Sequence, residues 1–476
     1  TTGKGRWSMT NEELVSEIKA GRAGYGELWE QVQRFVRQQA AGYISQNPGL
    51  CTGAVGGYFQ FFLHKADHLR MLLTTWAHSV SFWEGFGAVL AVCVACAVIG
   101  RFLVRFAPTA GGSGIQYVEA AWREEVEPAR FKILLVKFFG GILTLGSGMA
   151  LGREGPTVQM GASIGATIAR ILKFSKEELR FLTIASAGTG LGVAFSSPLG
   201  GAMFTFEEVT KDIRMNLVIP TLICVFAGCT VSMTILGMQP DYNVINRTFI
   251  IPGVKESVAF ILFGIFIGVM GPLYNKMVLI LLNTNAYFKK VIPEVKAGII
   301  GIVVALLVYF APGLAGGGDQ LGTEMLNYTF PIATVLVIGL IRWFFAPLCY
   351  ATGVPGGLFS PLLLMGGILG HVFAWTLNLI GFDLNPMAFC AVGMSAFFAS
   401  TICAPITGVL LILEMTACWD LTLPMLIGSA LAFFTAQALK SQPIYTALRL
   451  RIPEVKQMQQ QGVDVLQPPA IPEKLS

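Results

Sequence analysis

Long stretches without a charged side chain constrain the fold of this chain more than any other feature. Asp, Glu, Lys and Arg make up only 13% of its 476 residues, against roughly 25% in a soluble domain. The uncharged stretches cover residues 181–206, 215–240, 257–275, 297–318, 325–341, 343–382, 384–413 and 421–439. Because a helix needs about 20 apolar residues to cross a bilayer, we predict an all-α, multi-pass membrane protein.

The charged residues that remain exclude one class of partner and suggest an orientation. The net charge of +5 is spread along the chain, without the basic patch typical of nucleic-acid binding. We therefore expect membrane lipid, and no nucleic acid, around the protein. Both polar ends, 1–50 and 440–476, hold slightly more Lys and Arg than Asp and Glu, which favours cytoplasmic termini.

Two pairs of residues have the spacing of metal ligands. Cys93 and Cys96 form a C-x-x-C pair, and His64 and His68 lie four residues apart. The cysteines fall inside an apolar run with no second pair, and the histidines suit a solvated helix end. We predict no metal centre and no bound cofactor.

A polar loop at 239–256 divides the membrane region into two halves. We predict a first membrane repeat over 51–240 and a second over 241–450. The segment 1–50 is predicted to be a polar N-terminal part with an amphipathic cytoplasmic helix, and 451–476 a short cytoplasmic tail.

Gly-rich interruptions recur in both predicted repeats. They are Gly111-Gly112-Ser113-Gly114, Gly152-Arg153-Glu154-Gly155-Pro156, Gly316-Gly317-Gly318-Asp319 and Gly353-Val354-Pro355-Gly356-Gly357. Corresponding breaks in two halves of a transporter indicate discontinuous helices around a midplane binding site. The alternative is ordinary helix contact through glycine, which explains single glycines but not four clusters that contain Ser, Glu and Pro.

Glu154 is the most unusual charge in the sequence. Arg153 and Glu154 stand alone between two uncharged stretches, 138–152 and 155–169. A charge at the bilayer centre costs roughly 2.5 to 3.5 kcal/mol, whereas a helix N-terminus returns about 0.3 to 2 kcal/mol. Glu154 must therefore face a polar cavity, pair with another group, or stay protonated part of the time. The alternative is a structural Arg153–Glu154 ion pair, which adjacent helical residues are poorly placed to form.

Gly155-Pro156 supplies a local anion site beside that carboxyl group. Pro in the first turn begins a helix whose N–H groups lack intrahelical partners. An ionised Glu154 fills such a site as a tethered anion, and a protonated Glu154 yields it to a mobile one. Proton uptake and anion entry then become a single event.

The runs Gly112-Ser113-Gly114-Ile115 and Gly356-Gly357-Leu358-Phe359-Ser360-Pro361 repeat this theme. Glycines let the backbone approach a ligand, and helix-starting N–H groups together with a hydroxyl hold a dehydrated anion. Such a site needs no fixed cation, so it binds an anion weakly enough to release it. Serines that only cap their own helices are the alternative.

These two runs, together with Gly152-Arg153-Glu154-Gly155-Pro156, resemble the three signature motifs of the CLC family in order and separation. The similarity covers roughly residues 85–450. It extends through Val136-Lys137-Phe138-Phe139-Gly140-Gly141, Phe204-Thr205-Phe206-Glu207-Glu208, Leu413-Glu414-Met415-Thr416 and Pro443-Ile444-Tyr445. The resemblance implies a CLC-type inverted repeat of tilted and broken helices.

The resemblance also implies roles for individual residues. It implies that the hydroxyls of Ser113 and Tyr445, with the backbone N–H groups of Leu358 and Phe359, hold the central chloride. Glu154 is implied to be the external gate. Without the resemblance, an aromatic residue like Tyr445 at the end of a span is more typical of an interfacial anchor.

A second carboxylate argues for proton coupling. The resemblance implies that Glu208 is the inner proton-transfer glutamate of the exchangers and that Glu207 assists water entry. The alternative is a pair of membrane-boundary carboxylates facing the cytoplasm. Arg153 and Lys137 are secondary site candidates; Lys137 and Arg342 resemble family positions that raise the local positive potential, and structural pairing is equally open for both.

The resemblance predicts a secondary active antiporter that exchanges chloride for protons, not an enzyme, in the inner membrane of a bacterium. A passive voltage- or pH-gated chloride channel is the alternative. A homodimer with one pathway per subunit is implied, joined through helices near 199–236 and 405–438. Gln116 departs from the family, since many relatives have Pro there.

One enzyme class shares a motif with the chain. Gly111-Gly112-Ser113-Gly114 satisfies the G-x-S-G of rhomboid intramembrane proteases, and His371 lies in a later apolar run. A Ser–His dyad needs the two side chains within hydrogen-bond reach. That interpretation leaves Glu154 and the third motif unexplained.

Overall fold

The computed structural model describes residues 25–238, 241–245, 249, 253–288 and 290–465, and the side chains from residue 47 onward except 215, 216 and 254. This part of the chain forms eighteen α-helices and no β-strand, which confirms the predicted all-α class. The predicted amphipathic helix begins outside the described residues. The helices are α1 (Tyr25–Ser79), α2 (Phe82–Leu103), α3 (Ile115–Trp122), α4 (Phe131–Gly146), α5 (Glu154–Ile171), α6 (Lys176–Ala194), α7 (Pro198–Phe204), α8 (Met215–Leu236), α9 (Val254–Tyr287), α10 (Pro293–Phe310), α11 (Asp319–Asn327), α12 (Ile332–Ala351), α13 (Phe359–Asn378), α14 (Pro386–Ile402), α15 (Pro405–Thr416), α16 (Thr422–Ala438), α17 (Ile444–Arg449) and α18 (Pro453–Gln460).

Seven helices in the described part are long and apolar enough to cross a membrane, which confirms the multi-pass architecture. These are α2, α8, α9, α10, α12, α13 and α16. Several predicted uncharged stretches are divided between two helices. The run 343–382, for example, contains the end of α12 and all of α13, with the Gly-rich break between them.

The order of elements repeats along the chain. Helices α1 to α8 and helices α9 to α16 follow the same sequence of long, short and broken segments. Three pairs of counterparts pack directly on each other across the molecule: α2 on α10, α5 on α13, and α7 on α15. This arrangement is expected for two repeats related by a pseudo-two-fold axis.

Left-handed glycines open the short third helix of each repeat. Gly112 and Gly114 precede α3 with φ of 70° and 92°, and Gly316 and Gly318 precede α11 with φ of 77° and 111°. A side chain at any of these four positions is strained, because L-residues avoid this region of backbone space. The matching conformations show that the Gly-rich breaks are equivalent.

The helix bounds can be compared with the segment boundaries predicted at residues 50 and 240. Helix α1 runs without a break through residue 50. Helix α8 ends at Leu236 and α9 begins at Val254, so the last three residues of the predicted polar loop, 254–256, belong to α9. The division into repeats at 240 remains a prediction.

Candidate functional site

The Gly-rich loops of the two repeats meet where α5 and α13 begin. Gly152 and Gly357 exchange two backbone hydrogen bonds of 2.8 Å. Each lies two residues before the first residue of its helix, so the pseudo-two-fold axis passes between them. The Gly112 N–H also donates to the Val354 carbonyl at 2.9 Å. Motifs separated by some 200 residues of sequence are thus brought into one place.

Ser113 lies against the start of α5. Its side chain is fully buried, and its hydroxyl has no hydrogen-bond partner within the described residues. A Cβ atom at Gly155 would stand 2.4 Å from Ser113 Oγ. Gly155 therefore makes room for this hydroxyl.

Two isolated cations hold the loops that precede the short helices. Lys137 Nζ donates to the carbonyls of Gly112 and Ser113 at 2.6 and 2.9 Å. In the other repeat, Arg342 donates to the Gly316 carbonyl at 2.7 Å. Lys137 therefore places a positive charge directly behind the Ser113 loop, while it also stabilises that loop.

Glu154 is the first residue of α5 and is fully buried. One carboxylate oxygen accepts a hydrogen bond from the Ser360 hydroxyl at the start of α13, and the other has no partner in the described part of the chain. Ser360 lies in the third Gly-rich motif, but no role for it was predicted from the sequence. The Glu154 carboxylate is thus held by a single hydrogen bond from a neutral hydroxyl.

Arg153 points away from its neighbour. Its guanidinium bonds to the Asp241 carboxylate and to the Ala194 carbonyl at 3.0 Å, and lies 3.8 Å from the Asp319 carboxylate. The Arg153–Glu154 ion pair considered from the sequence is not the arrangement observed. Neither aspartate was identified from the sequence, although Asp319 follows the Gly316-Gly317-Gly318 cluster directly.

Leu358 and Phe359 stand at the beginning of α13. Leu358 is the N-cap residue and Phe359 the first helical residue, both fully buried. N–H groups in the first turn of a helix lack intrahelical acceptors and carry partial positive charge. The Phe359 ring packs between Phe195 and Phe398, which fixes this helix start.

Tyr445 is a buried residue and not an interfacial anchor. It is the second residue of α17, and its hydroxyl has no hydrogen-bond partner among the residues that the structure describes. The hydroxyl lies within electrostatic range of Ser113, Glu154 and Glu208. Tyr445 is therefore near both candidate carboxylates.

Glu208 lies in a π-helical turn, Thr205–Thr210, that continues α7. Its side chain is buried, and its Oε1 atom has no hydrogen-bond partner within the described ranges. The membrane-boundary alternative, a carboxylate facing cytoplasmic water, does not fit this burial. Lys211 and Glu119 both act electrostatically on Glu208, and they pair with each other at 3.3 Å.

Glu207 is placed differently from its neighbour. Its carboxylate accepts hydrogen bonds from the N–H groups of Ile406 and Thr407, at 3.1 and 2.7 Å, and from the Thr407 hydroxyl at 2.7 Å. These groups form the start of α15. Glu207 therefore caps a helix of the second repeat.

A buried charge network near Glu208 was not identified from the sequence. Arg449 is fully buried, bonds to Glu125, and lies 3.3 Å from Glu119. Because these residues are distant in sequence, only the fold reveals that they pair. Glu119, one member of this network, acts electrostatically on Glu208.

The structure does not bring together a protease dyad. His371 forms its ring hydrogen bond with the Met325 carbonyl at 2.8 Å. Within the described residues, the Ser113 hydroxyl has no bond to histidine.

A family model described as voltage gated chloride channel matches residues 90–437. This chain belongs to the voltage-gated chloride channel (CLC) family. CLC relatives include the H(+)/Cl(-) exchange transporter ClcA of Vibrio cholerae, 36% identical over 432 residues that cover 88% of this chain and 91% of the relative. ClcA of Salmonella paratyphi A is 34% identical over 443 residues, covering 89% and 91%.

Solved CLC structures have the same fold. A slow cyanobacterial Cl-/H+ antiporter matches with a TM-score of 0.81 at 28% identity, covering 86% of this chain and 97% of the other. A eukaryotic CLC transporter matches with a TM-score of 0.75 at 17% identity, covering 87% and 74%. The arrangement of broken helices predicted from the three motifs is therefore confirmed.

Proposed function

We propose that this chain is a secondary active antiporter that exchanges chloride for protons. The observation that carries the proposal is that Ser113 Oγ, Tyr445 Oη, Glu154 Oε2 and Glu208 Oε1 are among nineteen buried side-chain atoms without partners in the described residues, and that the Tyr445 hydroxyl interacts electrostatically with both carboxylates. Buried polar atoms are nearly always paired, so a cluster of unpaired ones indicates a site for ions or protons. The similarity to ClcA, an H(+)/Cl(-) exchange transporter, supports the same reaction.

The anion is held by neutral donors. The hydroxyls of Ser113 and Tyr445 act together with the N–H groups of Leu358 and Phe359 at the start of α13. Such donors recognise a small anion through helix-terminal charge without a full counter-charge. Binding is then moderate, as repeated loading and release require.

Glu154 acts as the gate. When ionised, its carboxylate occupies the anion position at the start of α5 and excludes chloride. When protonated, it loses that attraction, and chloride replaces it. The single hydrogen bond from Ser360 leaves the side chain free to exchange places with chloride.

Glu208 carries protons between Glu154 and the cytoplasmic side. Tyr445 interacts electrostatically with both carboxylates. The chloride and proton routes therefore share the region around Tyr445 and Glu154 and separate toward the cytoplasm, where protons pass through Glu208. A passive chloride channel does not require a proton-carrying side chain, so a buried, unpaired carboxylate at position 208 favours the antiporter. Lys137 supports the site by holding the Ser113 loop, and Arg153 by anchoring the start of α5 to Ala194 and Asp241. Glu207 assists the entry of water from its position next to Glu208.

The expected assembly is a homodimer with one pathway in each subunit. Helices α7, α8, α15 and α16 expose large apolar side chains that include Leu199, Ile219, Phe226, Ile406, Leu423 and Leu426. We place this face against a second copy and the remaining apolar surface against lipid. The protein lies in the inner membrane of a bacterium, with both termini in the cytoplasm.

Flux in sealed vesicles tests the proposal. Purified protein is reconstituted with high internal chloride and equal pH on both sides, and external pH is recorded as chloride leaves. An antiporter moves protons inward against the gradient that forms, and an uncoupler abolishes the signal. Chloride efflux without uphill proton movement supports a channel instead. Cross-linking in intact vesicles tests the dimer separately.

A further inference from the structure

The loop Gly112–Gly114, which carries Ser113, forms most of its backbone hydrogen bonds with groups outside the loop. Its three carbonyls accept bonds from Lys137 and from the N–H groups of Gly356, Tyr117 and Val118. Its first N–H donates to the Val354 carbonyl. Its last N–H, of Gly114, donates to a side chain.

Gln116 accepts one of those N–H groups. Its side-chain oxygen accepts the Gly114 N–H at 3.1 Å. The Tyr350 hydroxyl lies beside the loop, 3.2 Å from where a Cβ atom at Gly112 would stand. Both side chains are buried, and Tyr350 belongs to the second repeat. Gln116 therefore holds the Ser113 loop from its own helix, and Tyr350 contacts the loop from the opposite repeat.

The Ser113 hydroxyl is buried in this loop without a partner in the described structure. We infer that Gln116 is a positioning residue that fixes this hydroxyl and thereby sets the preference for chloride over larger, planar anions. The inference rests on the proposed anion site. Gln116 touches the loop and not the anion.

The physical reason is the cost of an unpaired N–H group. Without the Gln116 amide, the Gly114 N–H is buried without an acceptor, which costs about as much as a lost hydrogen bond. The loop relieves this cost by moving, because glycines on both sides of Ser113 permit it. A mobile hydroxyl fits a small spherical ion less well and accommodates nitrate equally well.

The repeat provides a matched control. Gln320 is the second residue of α11, as Gln116 is the second residue of α3. Its exposed side chain bonds to Glu324 at 3.1 Å, away from the Ser113 loop. Gln320→Leu therefore reproduces the chemical change at the equivalent helix position without touching the loop.

The test is isothermal titration of chloride and nitrate into purified full-length protein in detergent. All proteins carry Glu154→Gln, so that the gate carboxylate does not compete with the titrant. In this background we expect Gln116→Leu to weaken chloride binding about five- to tenfold, the effect of one buried hydrogen bond. Nitrate binding should change less than about twofold on the same scale, and Gln320→Leu should change neither.

Gln116→Pro separates positioning from direct contact. Proline fixes φ in the first turn of α3 and so stiffens the loop without an amide. We expect it to restore most of the chloride preference. If Gln116→Pro is as weak as Gln116→Leu, the amide itself serves the anion and the inference is wrong.

Three further results complete the test. Equal losses for chloride and nitrate in Gln116→Leu, or no loss at all, overturn the positioning role. Tyr350→Phe, which keeps the ring but removes the hydroxyl, should shift the preference in the same direction even if Gln116→Leu does not fold. If the Glu154→Gln parent binds no chloride, or Ser113→Ala leaves binding unchanged, the proposed anion site fails first.

Discussion

The two repeats share one scaffold, and a pair of carboxylates joins them symmetrically. Glu207 follows Pro198 by nine residues, and Glu414 follows Pro405 by nine. Glu207 caps the start of α15, and Glu414 caps the start of α7 through the N–H groups of Leu199 and Gly200, at 3.1 and 2.9 Å, and the Ser197 hydroxyl. Each carboxylate thus accepts two N–H groups and one hydroxyl from the opposite repeat.

The repeats differ at two other positions. Glu154 opens α5, whereas its counterpart Phe359 opens α13. Glu208 follows Glu207, whereas the buried Met415 follows Glu414. Glu154 and Glu208 are two of the buried carboxylates that have an unpaired oxygen in the described part of the chain. Both belong to the first repeat, and apolar side chains stand at the equivalent positions of the second.

The backbone accommodates this difference with one additional residue. Lys211, whose backbone is left-handed, comes four residues after Glu207. Its counterpart Ala417, also left-handed, comes only three residues after Glu414. The extra residue lies in the π-helical turn that contains Glu208. Single π turns inside helices are frequent at functional sites. Glu207 and Glu414 each accept three hydrogen bonds and join the two repeats, whereas Glu154 and Glu208 are the two that carry protons in the proposed mechanism.

Glu208→Gln should give the largest effect. The amide keeps the shape of the side chain but cannot carry a proton, so we expect proton flux to fall about 100-fold or more. Chloride flux should persist, because Glu208 does not hold the anion. Parallel proton and chloride recordings in vesicles measure both.

Glu414→Gln is the control for that experiment, since it alters a capping carboxylate of the other repeat. We expect it to retain coupled proton transport at a temperature where the protein stays folded. Undiminished proton pumping by Glu208→Gln would remove Glu208 from the mechanism and leave the two repeats functionally alike.

Glu154→Gln should abolish the pH dependence of chloride transport. In the parent protein, chloride flux should rise as pH falls, because protonation neutralises the carboxylate that competes with chloride. The amide mimics the neutral state at every pH, so the profile becomes flat. Initial chloride efflux rates at several symmetrical pH values check this.

Glu208→Gln sharpens the distinction between the two carboxylates. It should keep the rise in chloride flux at low pH, because the gate is intact. A profile that is still steep in Glu154→Gln would show that the gating carboxylate lies elsewhere.

The sequence was most informative where a residue conflicts with its local surroundings. Glu154 could be predicted as special because it is an isolated charge in apolar sequence, and the structure places it buried at a helix start. The Gly-rich breaks were predictable for a similar reason, since glycine clusters weaken the helices that contain them. Both signals lie within a few neighbouring residues.

Contacts between the repeats could not be predicted from one sequence. Nothing near Glu207 distinguishes it from Glu208, and its capping partner Thr407 lies 200 residues away. Asp241, which pairs with Arg153, lies in a polar loop with no local signal of its partner. The roles of such residues depend on which segments the fold brings together.

Glu207→Gln and Glu414→Gln should destabilise the protein by similar amounts. In either variant one oxygen becomes an NH₂ group that faces an N–H donor, so charge-assisted hydrogen bonds are lost. We expect the free energy of unfolding to fall by about 1 to 3 kcal/mol in each. Unfolding by SDS titration in mixed micelles measures both losses, and clearly unequal values would contradict the symmetry of the two caps.

Ser197→Ala and Thr407→Val should give the smallest effects. Each removes one hydroxyl from one cap, and we expect a loss of about 1 kcal/mol from a single hydrogen bond. Combination with the carboxylate variants then shows whether the two caps act independently. Ser197→Ala should be non-additive with Glu414→Gln, its bonded partner, but additive with Glu207→Gln. Non-additivity of both combinations would mean that the caps form one cooperative unit across the pseudo-two-fold axis, so that a disturbance in the second repeat reaches the turn that carries Glu208.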